Sequence, residues 1–186
     1  MRMVWLATIV AALATAQAET EDDKGTFGFG RTPTEAEIKA LDIDVMADGT
    51  GLPDGEGTVA KGEELYYQLC ASCHGVTGTE GPNDVLVGRE PREGFPFATT
   101  TGLSRTIGNY WPYATTLYDY TYRAMPFDEP GSLTPDQVYS LVAFLLHKNE
   151  IIAEDVIIDK NSLPEVVMPA RDRFVHDNRV GGPELR

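Results

Sequence analysis

The sequence predicts an all-α fold, and three observations carry that prediction. Apolar residues recur at helical spacing in two stretches, from Val59 to Leu69 and from Val138 to Leu145. Long Gly- and Pro-rich loops separate them, and the strict alternation of half-buried strands is scarce. A chain of 186 residues is sized for one domain of ordinary dimensions with extensions at either end.

Residues 1–18 read as a secretory signal peptide. Met1-Arg2 is a short positive region, Val4 to Ala14 is an apolar run too short to span a bilayer, and Ala16-Gln17-Ala18 is an A-x-A cleavage site. The mature protein is expected to begin near Glu19 and to retain no membrane span. Residues 19–57 form an N-terminal extension. Within it Thr32-Pro33-Thr34-Glu35 offers an N-cap, a proline at the first helical position and an acidic residue, opening a short helix through Leu41. The stretch from Asp48 to Gly57 is turn chemistry, expected to run over the surface as irregular chain.

The central domain is expected over residues 58–149. Its first helix starts near Val59, carries Leu65, Tyr66 and Leu69 on one face and delivers Cys70. Gly62 weakens that helix, which points to a second backbone coming close there. Cys70-Ala71-Ser72-Cys73-His74 then forms C-x-x-C-H, the attachment sequence of a c-type haem. Two thiols one helical turn apart can each add to a vinyl group on the same porphyrin edge, and the next residue, His74, reaches the iron. A redox dithiol or half a zinc site would need a thioredoxin-like βαβ pattern or a second cysteine pair, and Cys70 and Cys73 are the chain's two cysteines. One covalent haem c is therefore the ceiling.

Downstream, Pro112 to Arg123 reads as a helix with Leu117 and Tyr120 inward. Thr134-Pro135-Asp136-Gln137 is a capping box with proline at the first helical position, followed by Val138, Leu141, Val142 and Leu145 at i, i+3, i+4 and i+7. The basic end of that helix, His147-Lys148, suits the negative pole of its dipole. Residues 150–186 form a C-terminal extension. A sixth iron ligand has five candidates by residue type: Met46, Met125, Met168, His147 and His176. Pro126 disfavours helical geometry at Met125, so the chain leaves its helix there.

Net charge is −14, one unit more negative once Arg2 departs with the leader. Such a balance argues against nucleic acid and anionic lipid as partners, and it suits either a basic patch on another protein or simply a well-solvated acidic surface.

A helix leading into C-x-x-C-H and a later amphipathic helix are the two elements that cross in the class I cytochrome c fold, and the chain resembles that family from Val59 to Lys148. The resemblance implies that Gly62 sits at the crossing. It implies Met125 of Met125-Pro126 as the distal ligand, with Met168 of Met168-Pro169 as its rival beyond the last helix. It also implies that the Pro82 carbonyl of Gly81-Pro82-Asn83 accepts the free ring N–H of His74. Trp111 is placed near a haem propionate, with Arg105 or Arg89 as charge partner.

The likeness extends further. Gly28-Phe29-Gly30-Arg31, Asp42-Ile43-Asp44-Val45, Gly49-Thr50-Gly51-Leu52-Pro53, Gly81-Pro82-Asn83-Asp84, Tyr110 to Leu117, and Leu163 to Pro169 with Arg171-Asp172 resemble the cytochrome c subunit of the periplasmic sulfite or sulfane dehydrogenases of sulfur-oxidising bacteria. Some members of that family carry a second haem domain, and this sequence has no second C-x-x-C-H. The resemblance implies a periplasmic electron-transfer subunit, not catalytic on its own. It would take single electrons from a molybdenum-containing catalytic subunit and pass them to a downstream cytochrome or oxidase. A free-standing cytochrome shuttle and a haem-based sensor are the other function classes compatible with the motif.

Overall fold

A computed structural model describes residues 29–175 and Val180. The expected signal peptide, the first part of the N-terminal extension and His176 lie outside the described residues. The chain divides into two units, Met1–Leu41 and Asp42–Arg186. The division falls inside the stretch expected as one extension.

In the first unit, α1 spans Glu35–Leu41 and buries none of its side chains. Its cap is Thr34, where the sequence suggested Thr32. The Thr34 hydroxyl accepts the Glu37 N–H at 3.3 Å and the Glu37 carboxylate accepts the Thr34 N–H at 2.8 Å, a reciprocal capping box two residues further along the chain. Glu37 also pairs with Arg31, and these contacts hold its carboxyl down at about 2.

The second unit is built on three helices: α2 (Val59–Leu69), α4 (Ala114–Ala124) and α5 (Pro135–Lys148), with the short α3 (Ala71–His74) directly after α2. Two elements depart from a purely helical expectation. Strand β1 (Glu56–Thr58) pairs antiparallel with β2 (Ile157–Asp159), Gly57 opposite Ile158, so the end of the Gly-rich stretch is a strand and not surface coil. Tyr139 donates to the Pro53 carbonyl at 2.9 Å and Asp136 accepts the Glu56 N–H at 3.0 Å, which fixes that stretch onto α5.

Helices α2 and α5 cross where Gly62 lies. A Cβ there would overlap the Ser140 carbonyl group and come within 2.7 Å of the Phe144 Cβ, so only glycine permits this approach. Tyr66 and Phe144 pack beside the crossing with ring centroids 5.1 Å apart. Helix α5 starts at the Thr134 capping box and is buried at every position from Val138 to Leu146, not only along the predicted stripe. The C-terminal segment supplies part of the cover: Ile158, Leu163, Met168 and Ala170 are all buried.

Helix α4 begins two residues later than expected and buries Leu117 as predicted, but Tyr120 is 47% exposed. Its buried arc is rotated toward Thr115 and Asp119, because those two side chains hold the incoming 44–47 segment. The Thr115 hydroxyl donates to the Ala47 carbonyl at 3.1 Å, and Asp119 accepts the Val45 N–H at 2.9 Å. Tyr120 instead meets the edge of Trp111 at 5.9 Å.

Candidate haem-binding site

The α2 helix ends at Cys70, whose N–H still donates to the Tyr66 carbonyl, and one further turn, α3, carries Cys73 and His74. Cys70 is half-buried and Cys73 exposed, and neither is in a disulfide. Burial, with a smaller push from the neighbouring Cys73, raises the Cys70 thiol to about 11. Gly75, at φ 82°, ends the turn, and its carbonyl accepts the buried Tyr66 hydroxyl at 2.9 Å.

The following loop folds back over α3. Asn83 N–H donates to the Cys73 carbonyl at 3.0 Å, and a Cβ on Gly81 would collide with the Cys73–Gly75 backbone. Glu80 closes the first part of the loop by accepting from the Thr77 hydroxyl, the Thr77 N–H and Thr79, which together hold its carboxyl down at about 2. The ring Nδ1 of His74 lies 2.8 Å from the Asp84 carbonyl. This corrects the expectation for Pro82: with Gly81 and Asn83 seated on the α3 backbone, Pro82 is exposed at the loop tip and the carbonyl facing the imidazole comes two residues later.

The remaining candidates are placed as follows. Met125 caps α4 in extended geometry (φ −124°, ψ 147°) and is half-buried, consistent with the bias that Pro126 imposes. Met168 is 1% exposed within the hydrophobic core, and Met46 is exposed in a turn. His147 places Nδ1 at 3.2 Å from the Ile152 carbonyl. Trp111 is half-buried against the core. The Arg105 guanidinium sits 5.1 Å over the Tyr110 ring, while Arg89 donates to the Asn149 and Glu150 carbonyls. Among the described residues no hydrogen bond joins Met125, Trp111 or Arg105 to α3. Asp84 was missed by sequence reasoning because no local signal marks which carbonyl of a loop will face an imidazole.

The donor set fits a covalently attached haem. Two unpaired thiols three residues apart lie on consecutive turns, and the adjacent imidazole has Nδ1 engaged by a carbonyl. As the N–H tautomer at Nδ1, it leaves Nε2 with a lone pair for iron, and the carbonyl makes it a stronger donor.

Residues 57–145 match the family described as cytochrome c oxidase, cbb3-type, subunit III. No curated protein matches the chain at a comparable standard. A chain in the crystal structure of the sulfane dehydrogenase SoxCD from Paracoccus pantotrophus is 39% identical, with a TM-score of 0.70 over 82% of this chain and 73% of that one. Identity at that level over that share of both sequences, with the C-x-x-C-H turn delivered by the crossing helices, makes this chain a c-type cytochrome of the class I fold, in the family of the matched SoxCD chain.

Proposed function

We propose that the protein is the electron-accepting cytochrome of a molybdenum-containing sulfite or sulfane dehydrogenase, exported to the periplasm and carrying one haem c. The observation that carries this reading is the α3 turn, with Cys70, Cys73 and a carbonyl-oriented His74, in a chain alike over most of its length to one from a sulfane dehydrogenase complex. When bound, the haem supplies a one-electron couple. Cys70 and Cys73 would hold it through thioethers, His74 would ligate the iron through Nε2, and Met125 would supply the second protein ligand. A His/Met pair raises the reduction potential and keeps the iron six-coordinate in both oxidation states. The acidic surface disfavours polyanionic partners and suits a basic docking face. Among the described residues no helix is long and apolar enough to cross a membrane. Electrons would leave toward a downstream cytochrome or oxidase.

Protein made with haem-maturation machinery should keep its haem through denaturation and acid–acetone extraction; haem that washes out refutes covalent attachment. Mixing the mature chain with the purified catalytic subunit and either sulfite or a sulfane-sulfur compound should reduce the haem. Failure with both donors refutes the dehydrogenase partnership while leaving the cytochrome intact.

A further inference from the structure

Asn149 is an uncharged polar residue just past the end of α5, yet it is 1% exposed. Its backbone N–H donates to the Leu145 carbonyl, and the next residue, Glu150, takes the left-handed conformation at φ 58°, so the chain turns sharply there. The Asn149 side chain faces the loop after His74 and uses its whole amide. Oδ1 accepts the Gly88 N–H at 2.9 Å, and Nδ2 donates to the Leu86 carbonyl at 3.2 Å and the Leu145 carbonyl at 2.8 Å. Its own carbonyl accepts Arg89 Nη1 at 3.0 Å.

The clamped residues sit just beyond the carbonyl on His74. Asp84 meets Nδ1; two residues later the N–H groups of Leu86 and Val87 donate to the Gly78 carbonyl at 2.9 and 3.1 Å. One side of this loop is thus pinned to the haem-motif turn and the other to α5. Thr106 adds a second anchor by donating its hydroxyl to the Gly88 carbonyl at 2.5 Å. Close packing leaves no slack: a Cβ on Gly108 would come within 2.5 Å of both Asn149 Oδ1 and the Gly88 carbonyl oxygen.

We propose that Asn149 is a positioning residue for the haem iron, which holds loop 84–89 against α5 so that the Asp84 carbonyl stays on His74 Nδ1. The inference rests on His74 being the proximal ligand. A carbonyl on Nδ1 adds electron density to the imidazole and favours ferric iron. Loosening the loop therefore favours the reduced state, although Asn149 touches neither His74 nor the haem-bearing cysteines.

The test compares three variants of the full mature holoprotein. Asn149→Leu keeps the branched outline of the side chain and removes its hydrogen bonds. Thr106→Val removes the hydroxyl that anchors the Gly88 carbonyl and accepts the Asn109 N–H, leaves the Asn149 amide in place, and is the fallback if the first variant does not fold. Leu163→Ala destabilises the core without touching the loop. Asn149→Leu should shift the reduction equilibrium toward the ferrous form by about threefold to tenfold and move the His74 Nδ1–H proton resonance of the reduced protein upfield. Thr106→Val should do the same to a smaller degree, while Leu163→Ala lowers the urea midpoint and leaves potential and resonance in place. An unmoved potential and resonance in Asn149→Leu, or in Thr106→Val where the first does not fold, overturns the proposal, as does an equal shift in Leu163→Ala. The alkaline pyridine spectrum checks haem attachment separately. A c-type spectrum with an unmoved potential overturns the clamp alone, and absence of a c-type spectrum in the unmutated protein overturns both readings.

Discussion

At the α2–α5 crossing, glycine lets two helix backbones meet, and an unbroken run of buried side chains from Val138 to Leu146 fills the space around them. In the loop from Gly75 to Arg89 the arrangement is reversed. Val76 is 58% exposed, apolar burial is slight, and the shape is kept by hydrogen bonds to the Gly75, Gly78 and Cys73 carbonyls, by Glu80 and by Asn149. The crossing is specified many times over, since each buried side chain removes apolar area from water independently. The loop depends on a few directional contacts, each with one geometry. Damage at the crossing should therefore appear as lost stability with an unchanged haem environment. Damage near the haem ligands should appear in the spectrum and the potential with stability nearly kept.

The hardest way to break the crossing is to fill it. Gly62→Ala places a methyl group into the Ser140 carbonyl, and the helices must separate along their whole contact, so destabilisation should exceed about 3 kcal/mol in urea unfolding. Gly131→Ala is the control. It has a positive φ but open space around it and should cost about 1 kcal/mol.

The two Met-Pro pairs sharpen the contrast next. Met168→Ala should remove a core side chain at a cost of about 2–3 kcal/mol and leave the oxidised spectrum unchanged. Met125→Ala, at the half-buried end of α4, should abolish the weak sulfur-to-iron band at the red end of that spectrum and lower the potential, with a smaller effect on stability. The opposite pattern would transfer the ligand role to Met168.

Asp119 offers a pH-dependent test on the core side. Burial pushes its carboxyl upward, but hydrogen bonds from Arg123 and the Val45 N–H outweigh this and hold it below the ordinary aspartate value. A carboxyl depressed in the folded state adds stability that is fully present above its unfolded value, about 3.9, and is lost as pH falls through the folded one. Asp119→Asn should cost about 1–2 kcal/mol at neutral pH, the Arg123 share being discounted for exposure. The difference from the unmutated protein should shrink as acid titrates the carboxylate away, with no change in potential.

The smallest expected effect is at the α5 cap. Thr134→Ala removes the side-chain acceptor for the Gln137 N–H and should cost about 1 kcal/mol. It should leave the haem spectrum untouched.

Features set by neighbours along the chain were legible in the sequence. Thr134 and Gln137 cap α5 because three residues of helical geometry bring them together, and Cys70, Cys73 and His74 share a turn region because their spacing matches the helical repeat. Gly62 marked the crossing because a glycine inside a helix needs a reason beyond local propensity. What only the tertiary structure decided lies where distant residues compete for one position. The face of Tyr120 turned outward because Val45 and Ala47 claimed Asp119 and Thr115. The stripe on α5 became a fully buried helix because α2, α4, β1 and β2 together pack against the faces that periodicity alone assigns to water. The carbonyl on His74 is that of Asp84 and not of Pro82. Rotation of a loop peptide is set by its anchors, and Asn149, one anchor of this loop, stands far along the chain, where no local spacing rule can reach.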